Sequence, residues 1–173
     1  MKKEAIEVLM NRRSVRKFKP EQITEAELLT VLEAGTCAPT ARGMQTPWII
    51  AVQDPAEREA VAKLNAAVIG AEHDTYYGAP TIILVVAPDD NFGVINSSAV
   101  LTNMVNAAYA VGLGSCWIHR PREMFQTEEG KAMLAKWGIP EGMAGVGSIA
   151  LGYADMEAPA PKERKEGYYR IIK

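Results

Sequence analysis

Cysteine is scarce: Cys37 and Cys116 are the only two in 173 residues. Two cysteines build no disulfide framework, and a reducing cytoplasm is the expected compartment. Histidine is equally scarce. His73 and His119 share no CxxC, HxxxH or HExxH spacing with each other or with the cysteines, so no metal site is expected. No apolar run reaches membrane-spanning length, because Asn, Ser and Gly interrupt the longest candidates. The N-terminus, MKKEAIEVLMNRR, has neither a long apolar stretch nor a small-residue cleavage site, so no signal peptide is expected. The chain also lacks a GxSxG elbow. The glycines of GLGS (112–115) and GVGSIALG (145–152) match neither a dinucleotide fingerprint nor a Walker loop. They read as sites of close backbone packing or of approach by a flat ligand. The cysteine of GSCW falls in an expected buried strand, where a thiolate nucleophile is out of place. Cys37 and Cys116 therefore read as small apolar fillers.

What is present is an ordinary globular composition, 48% hydrophobic and 23% charged. The length suits one domain with its own core, or one protomer of a dimer. The net charge of −2 conceals an uneven distribution. Residues 1–20 carry seven Lys/Arg against two Glu, and residues 155–173 carry five against four. Residues 21–154 carry seven against fifteen acidic groups. Such a midsection repels a polyanion, so neither nucleic acid nor a membrane surface is an expected partner. The N-terminal charge suits a small anion instead.

The pattern alternates helices and strands. Residues 4–12 read as a short helix with Ala5, Ile6 and Leu9 on one face. Thr24 and Glu27 form a capping box for a helix reaching about Gly35, with Leu28, Val31 and Leu32 inward. CAPTARGMQTP (37–47) is a loop, and WIIAVQ (48–53) a strand. Asp54 and Pro55 start a helix to about Ile69. TIILVVA (81–87) has the composition of a strand buried on both faces. Residues 94–111 read as a helix apolar almost all round, with a polar line at Asn96, Asn103 and Asn106; a partner subunit would help to bury it. GSCWI (114–118) is a strand, 128–136 a short helix, and AGVGSIALGYA (144–154) a glycine-rich strand. Trp48 and Trp117 are expected in the core, and His119, beside Arg120, at a pocket. The fold class is α+β: a mixed or antiparallel sheet of four or five strands flanked by helices. Residues 1–173 form a single domain, of which 155–173 is an extended arm without a core of its own.

The cations of NRRSVRKF (11–18) need an owner. A phosphate monoester carries nearly two charges and several acceptor oxygens. Arg binds it with a planar fork of donors, and a hydroxyl such as Ser14 adds another. Cations also complement a helix C-terminus, so charge alone leaves both readings open. The predominance of Arg over Lys, interleaved with Ser14, favours the anion. A second cluster, Lys162, Arg164 and Lys165, would reach the same anion if the arm folds back.

The order of these motifs resembles the FMN-dependent nitroreductase family over nearly the whole chain. The motifs are Arg12-Arg13-Ser14-Val15-Arg16, APTARGMQTPW, GLGSCWI and Lys162-Glu163-Arg164. The resemblance implies a homodimer with FMN at the subunit interface and the arm packed on the partner. Arg12, Arg13 and Ser14 would hold the phosphate and ribityl chain, with Lys162 and Arg164 completing the phosphate site. Arg16 would lie near the pyrimidine side of the ring and stabilise the reduced flavin. Pro39, Thr40 and Gln45 would belong to the partner's loop against the flavin. Asn65 would meet the ring edge, and backbone around Ile118–Arg120 would approach N5. No side chain is nominated as catalytic, because the flavin would carry hydride from NAD(P)H to a flat acceptor such as a nitro compound, quinone or flavin. A flavin storage or redox-sensing module is the alternative reading. Two positions depart from the family pattern: Gly43 stands where relatives carry Asn, and Thr46 separates Gln45 from Pro47.

Overall fold

The β-branched run at 81–87 forms the strand on which the rest is built. In the computed structural model, which describes residues 4–173, Thr81–Pro88 is a strand (β2) buried from Thr81 to Ala87. It pairs antiparallel with Trp48–Val52 (β1) and with Met143–Gly152 (β4). Gly114–Ile118 (β3) pairs antiparallel with the far side of β4. The sheet order is β1-β2-β4-β3, so β1 and β3 are its edges. The expected sheet of four or five strands is thus a four-stranded antiparallel one among the described residues.

Burial on both faces of β2 follows from helices on both sides of the sheet. Ile82, Leu84 and Val86 join one apolar cluster, and Ile83 and Val85 the other. The first cluster is roofed by Pro55–Ala67 (α3), Pro121–Gln126 (α5) and Glu128–Lys136 (α6). The second is roofed by Glu25–Thr36 (α2) and Asn91–Ala110 (α4), chiefly through Val31, Leu101, Met104 and Ala108. Alternation along one strand thereby feeds two cores.

Local signals set the helix starts. Thr24 and Glu27 form the capping box. Asp54 accepts from the amides of Ala56 and Glu57 ahead of α3, a cap that contributes about 1 kcal/mol. α4 begins earlier than expected, at Asn91, because the Asp90 carboxylate accepts from the Gly93 amide at 2.7 Å. α5 was not foreseen; Pro121 opens it directly after β3. Glycines in β4 permit close approach: a Cβ at Gly145 would lie 2.3 Å from the Pro121 carbonyl carbon.

Three expectations of burial fail. Trp48 and Trp117 are 46% and 37% exposed, because both stand on edge strands, where no further strand of the sheet covers them. Cys37 is exposed at the end of α2. α4 is not buried all round, since Phe92, Val94 and Ile95 project from its first turns. The first helix, Ala5–Asn11 (α1), likewise buries Val8 but leaves Ile6, Leu9 and Met10 open. Every residue from Asp155 to Lys173 is exposed.

Candidate functional site

The N-terminal cations are placed against the outer edge of β3. α1 ends at Asn11, and the chain turns out of the helix at Arg12. Ser14 then bridges Ser115, and the Val15 amide donates to the Ser115 carbonyl at 3.0 Å. One guanidinium nitrogen of Arg13 donates to the carbonyls of Met10 and Arg12 at 3.0 and 2.8 Å. It therefore serves the carbonyls at the end of α1, the helix-terminus role left open above. Arg12 is different. It is partly buried, and that burial lowers its pKa from the ordinary value. No carboxylate among the described residues pairs with Arg12, Arg13 or Arg16. Lys17 is paired, with Asp155 at 2.7 Å. A partly desolvated cation without a counter-charge costs free energy unless an anion meets it.

Cys116 lies behind this patch. Burial pushes its thiol up, against the opposing effects of Arg16, a Ser14 hydrogen bond and Arg12. It stays a protonated thiol, in keeping with a packing role.

At the other end of β3 the backbone turns through Ile118, His119 and Arg120 into α5. The Ser148 hydroxyl donates to the Ile118 carbonyl at 3.2 Å, and the Asn65 amide donates to the His119 carbonyl at 2.9 Å. A trans peptide carries its C=O and N–H on opposite sides. The His119 N–H therefore points away from β4, and the Arg120 N–H away from α3. Neither N–H donates within the described residues. Arg120 holds φ at 85°, a conformation uncommon for a residue with a side chain. Its guanidinium pairs with Glu123 at 2.7 Å. His119 itself is exposed. Asn65 is enclosed, so it meets this site through the His119 carbonyl rather than by presenting its own edge.

The loop carrying Pro39, Thr40 and Gln45 lies elsewhere in the chain. The side-chain Oδ1 of Asn96, on α4, accepts from the Ala41 backbone amide at 2.9 Å. The Thr40 hydroxyl accepts from the Gln45 amide, and Gln45 holds φ at 49°. Asn96, visible in the sequence only as part of a polar line, is thus the residue that anchors this loop. The loop enters the N-terminal end of β1, whereas Arg12–Ser14 sits at the N-terminal end of β3. These strands are opposite edges, three strand spacings or about 14 Å apart. They also run in opposite directions, so the two groups are diagonal across the sheet. One chain does not bring them together. Lys162 and Arg164 lie on the exposed arm. That arm leaves the body beside the cations: the Asp155 amide donates to the Lys17 carbonyl, and the Arg16 amide to the Met156 sulfur. An open groove of about 890 Å³ lies between α3 and residues 71–80, and none of the ten candidate residues lines it.

The fold and sequence have known relatives. The profile described as "Nitroreductase family" matches residues 9–153. A curated protein of Archaeoglobus fulgidus, provisionally named NADH dehydrogenase/NAD(P)H nitroreductase, is 31% identical over 172 residues, covering 95% of this chain and 90% of its own. The NADPH-flavin oxidoreductase of Vibrio harveyi is 28% identical, covering 92% of this chain and 69% of its own. A nitroreductase of Bacteroides fragilis, solved with bound FMN, superposes with a TM-score of 0.90 at 27% identity, over 99% of this chain and 100% of its own. With matching motifs in order and a shared architecture, the chain belongs to the nitroreductase family.

Proposed function

We propose that the protein is an FMN-dependent oxidoreductase that takes electrons from NAD(P)H and passes them to a small flat acceptor. The observation that carries this reading is the edge of β3. Its start presents a partly buried Arg12 without a counter-charge, beside Ser14. Its end presents two unbonded N–H groups at His119 and Arg120. The interval from Ser115 to His119 is about 14 Å at the usual strand rise. A cofactor with a phosphate at one end and ring acceptors at the other fits that donor set.

Arg12 and Ser14 hold the phosphate, with Lys162 and Arg164 joining from the arm. Arg13 contributes the nitrogens not engaged by the α1 carbonyls. Arg16 supplies positive charge where negative charge develops on reduction. The N–H groups of His119 and Arg120 orient the ring. Pro39, Thr40 and Gln45 cover the ring from a second copy of the chain, a reading supported by their diagonal placement within one chain. When bound, FMN supplies the hydride and electron transfer between nicotinamide and acceptor. Nitro compounds, quinones and free flavin share the flat shape that such a slot accepts.

Colour tests the reading at its base. The purified protein is expected to be yellow, or to become so when FMN is added and excess removed. A protein that stays colourless after that treatment contradicts it.

A further inference from the structure

Beneath the end of β3 lies a buried polar chain remote from solvent. The Tyr76 hydroxyl is 2.9 Å from the Ser148 hydroxyl, and both residues are 0% exposed. Ser148 in turn donates to the Ile118 carbonyl at 3.2 Å. A serine hydroxyl has one proton. With Ser148 donating to Ile118, the bond between the hydroxyls runs from Tyr76 to Ser148, giving the order Tyr76, Ser148, Ile118 carbonyl. Burial pushes the Tyr76 phenol far above its ordinary range, so it remains a donor at any working pH. Asn65 makes the matching bond to the next carbonyl, His119.

A core does not need these hydroxyls for packing. Phe at position 76 and Ala at 148 would fill nearly the same space without polar atoms. A buried hydroxyl pair of this kind contributes little net stability but fixes geometry, because an alternative orientation leaves a buried group unbonded. The geometry it fixes is that of the peptide joining Ile118 and His119. With its carbonyl held toward Ser148, its N–H faces the open edge.

We propose that Tyr76 and Ser148 are positioning residues that aim the His119 N–H at the N5 edge of the bound flavin. They act through the peptide and touch neither flavin nor substrate. The proposal rests on the flavin reading above. The pairing of Ile118 with Ser148 holds the strand itself; without the relay the peptide loses the side-chain bond that sets its tilt, and the N–H no longer makes a single well-aligned bond.

The test uses flavin-loaded wild type, Tyr76→Phe, Ser148→Ala and a control, Val52→Ala. Val52 sits in the same apolar cluster on the far edge strand. Each protein is loaded with FMN labelled with ¹⁵N at N5, and the N5 chemical shift and the midpoint potential are recorded. Thermal midpoints are measured in parallel. Both relay variants are expected to move the N5 resonance and the potential in the same direction. They are also expected to weaken FMN binding about fivefold to tenfold, the value of one hydrogen bond. Val52→Ala should lower the thermal midpoint and leave the N5 resonance in place. Folded relay variants with unchanged N5 resonance and potential would overturn the proposal. So would a control that moves N5 as far as they do. A wild type that takes up no FMN would instead contradict the functional reading on which the proposal stands.

Discussion

Among the N-terminal cations, neighbouring residues of one charge have different roles. Arg13 turns back on the α1 carbonyls, Lys17 pairs with Asp155, and Arg12 is left partly buried with no partner acid. Charge assistance makes a guanidinium–phosphate contact worth about 1.5–3 kcal/mol. Arg12→Ala combined with Arg164→Ala is therefore expected to weaken FMN binding by at least about tenfold, read as flavin absorbance retained after gel filtration. Unchanged flavin content would show the phosphate assignment to be wrong. The Arg-Arg-Ser-x-Arg pattern stood out in the sequence as a local excess of cation, and the resemblance supplied FMN as its anion. The division of labour within it was not, since both a helix end and an anion attract the same side chain. Asn65 was legible only as a polar residue near the site. Its enclosure beneath His119 depends on how α3 packs against α5 and the turn after β3, which no local pattern states.

At the scale of elements, the signals that worked were those with a local cause. The Thr24–Glu27 box, the Asp54-Pro55 start and the unbroken apolar run of β2 each specify their own structure. Glu27 does more than cap. Its carboxylate also accepts from the Tyr153 hydroxyl at 2.8 Å, tying the start of α2 to the chain leaving β4. Hydrogen bonding from the Thr24 side chain, chiefly, lowers the pKa of Glu27. A depressed carboxylate pKa gives stability that is complete above the unfolded value and lost as pH falls through the folded one. Denaturant midpoints of wild type and Glu27→Gln should thus differ at neutral pH and converge as pH drops below about 4. A difference that stays constant down to pH 3 would exclude this linkage. What the pattern concealed was α5, too short for its periodicity to register, and the exposure of Trp48 and Trp117. An edge position is a property of strand order, and strand order is settled by pairings far apart in sequence.

At the scale of the whole molecule, one chain leaves work undone. Ile6, Leu9 and Met10 on α1, Phe92 and Ile95 on α4, and the arm with Tyr168, Tyr169 and Ile172 all lie open. A second copy of the chain, as proposed above, would cover these side chains. The loop of Pro39, Thr40 and Gln45 stands diagonally across the sheet from Arg12, so a shared site calls for a second copy. Light scattering is expected to give twice the chain mass. A monomer that still binds FMN tightly would contradict an interfacial site. The sequence suggested this through an apolar α4 and a coreless arm, while the diagonal placement became visible only with the sheet assembled. The proposed activity is electron transfer from a reduced nicotinamide, and anaerobic mixing reads it without a coupled assay. The flavin-loaded protein, given NADH or NADPH without oxygen, should lose its oxidised flavin absorbance and recover it when a quinone or nitroaromatic compound is added. A flavin that stays oxidised with both nicotinamides would rule out the oxidoreductase and favour a storage module.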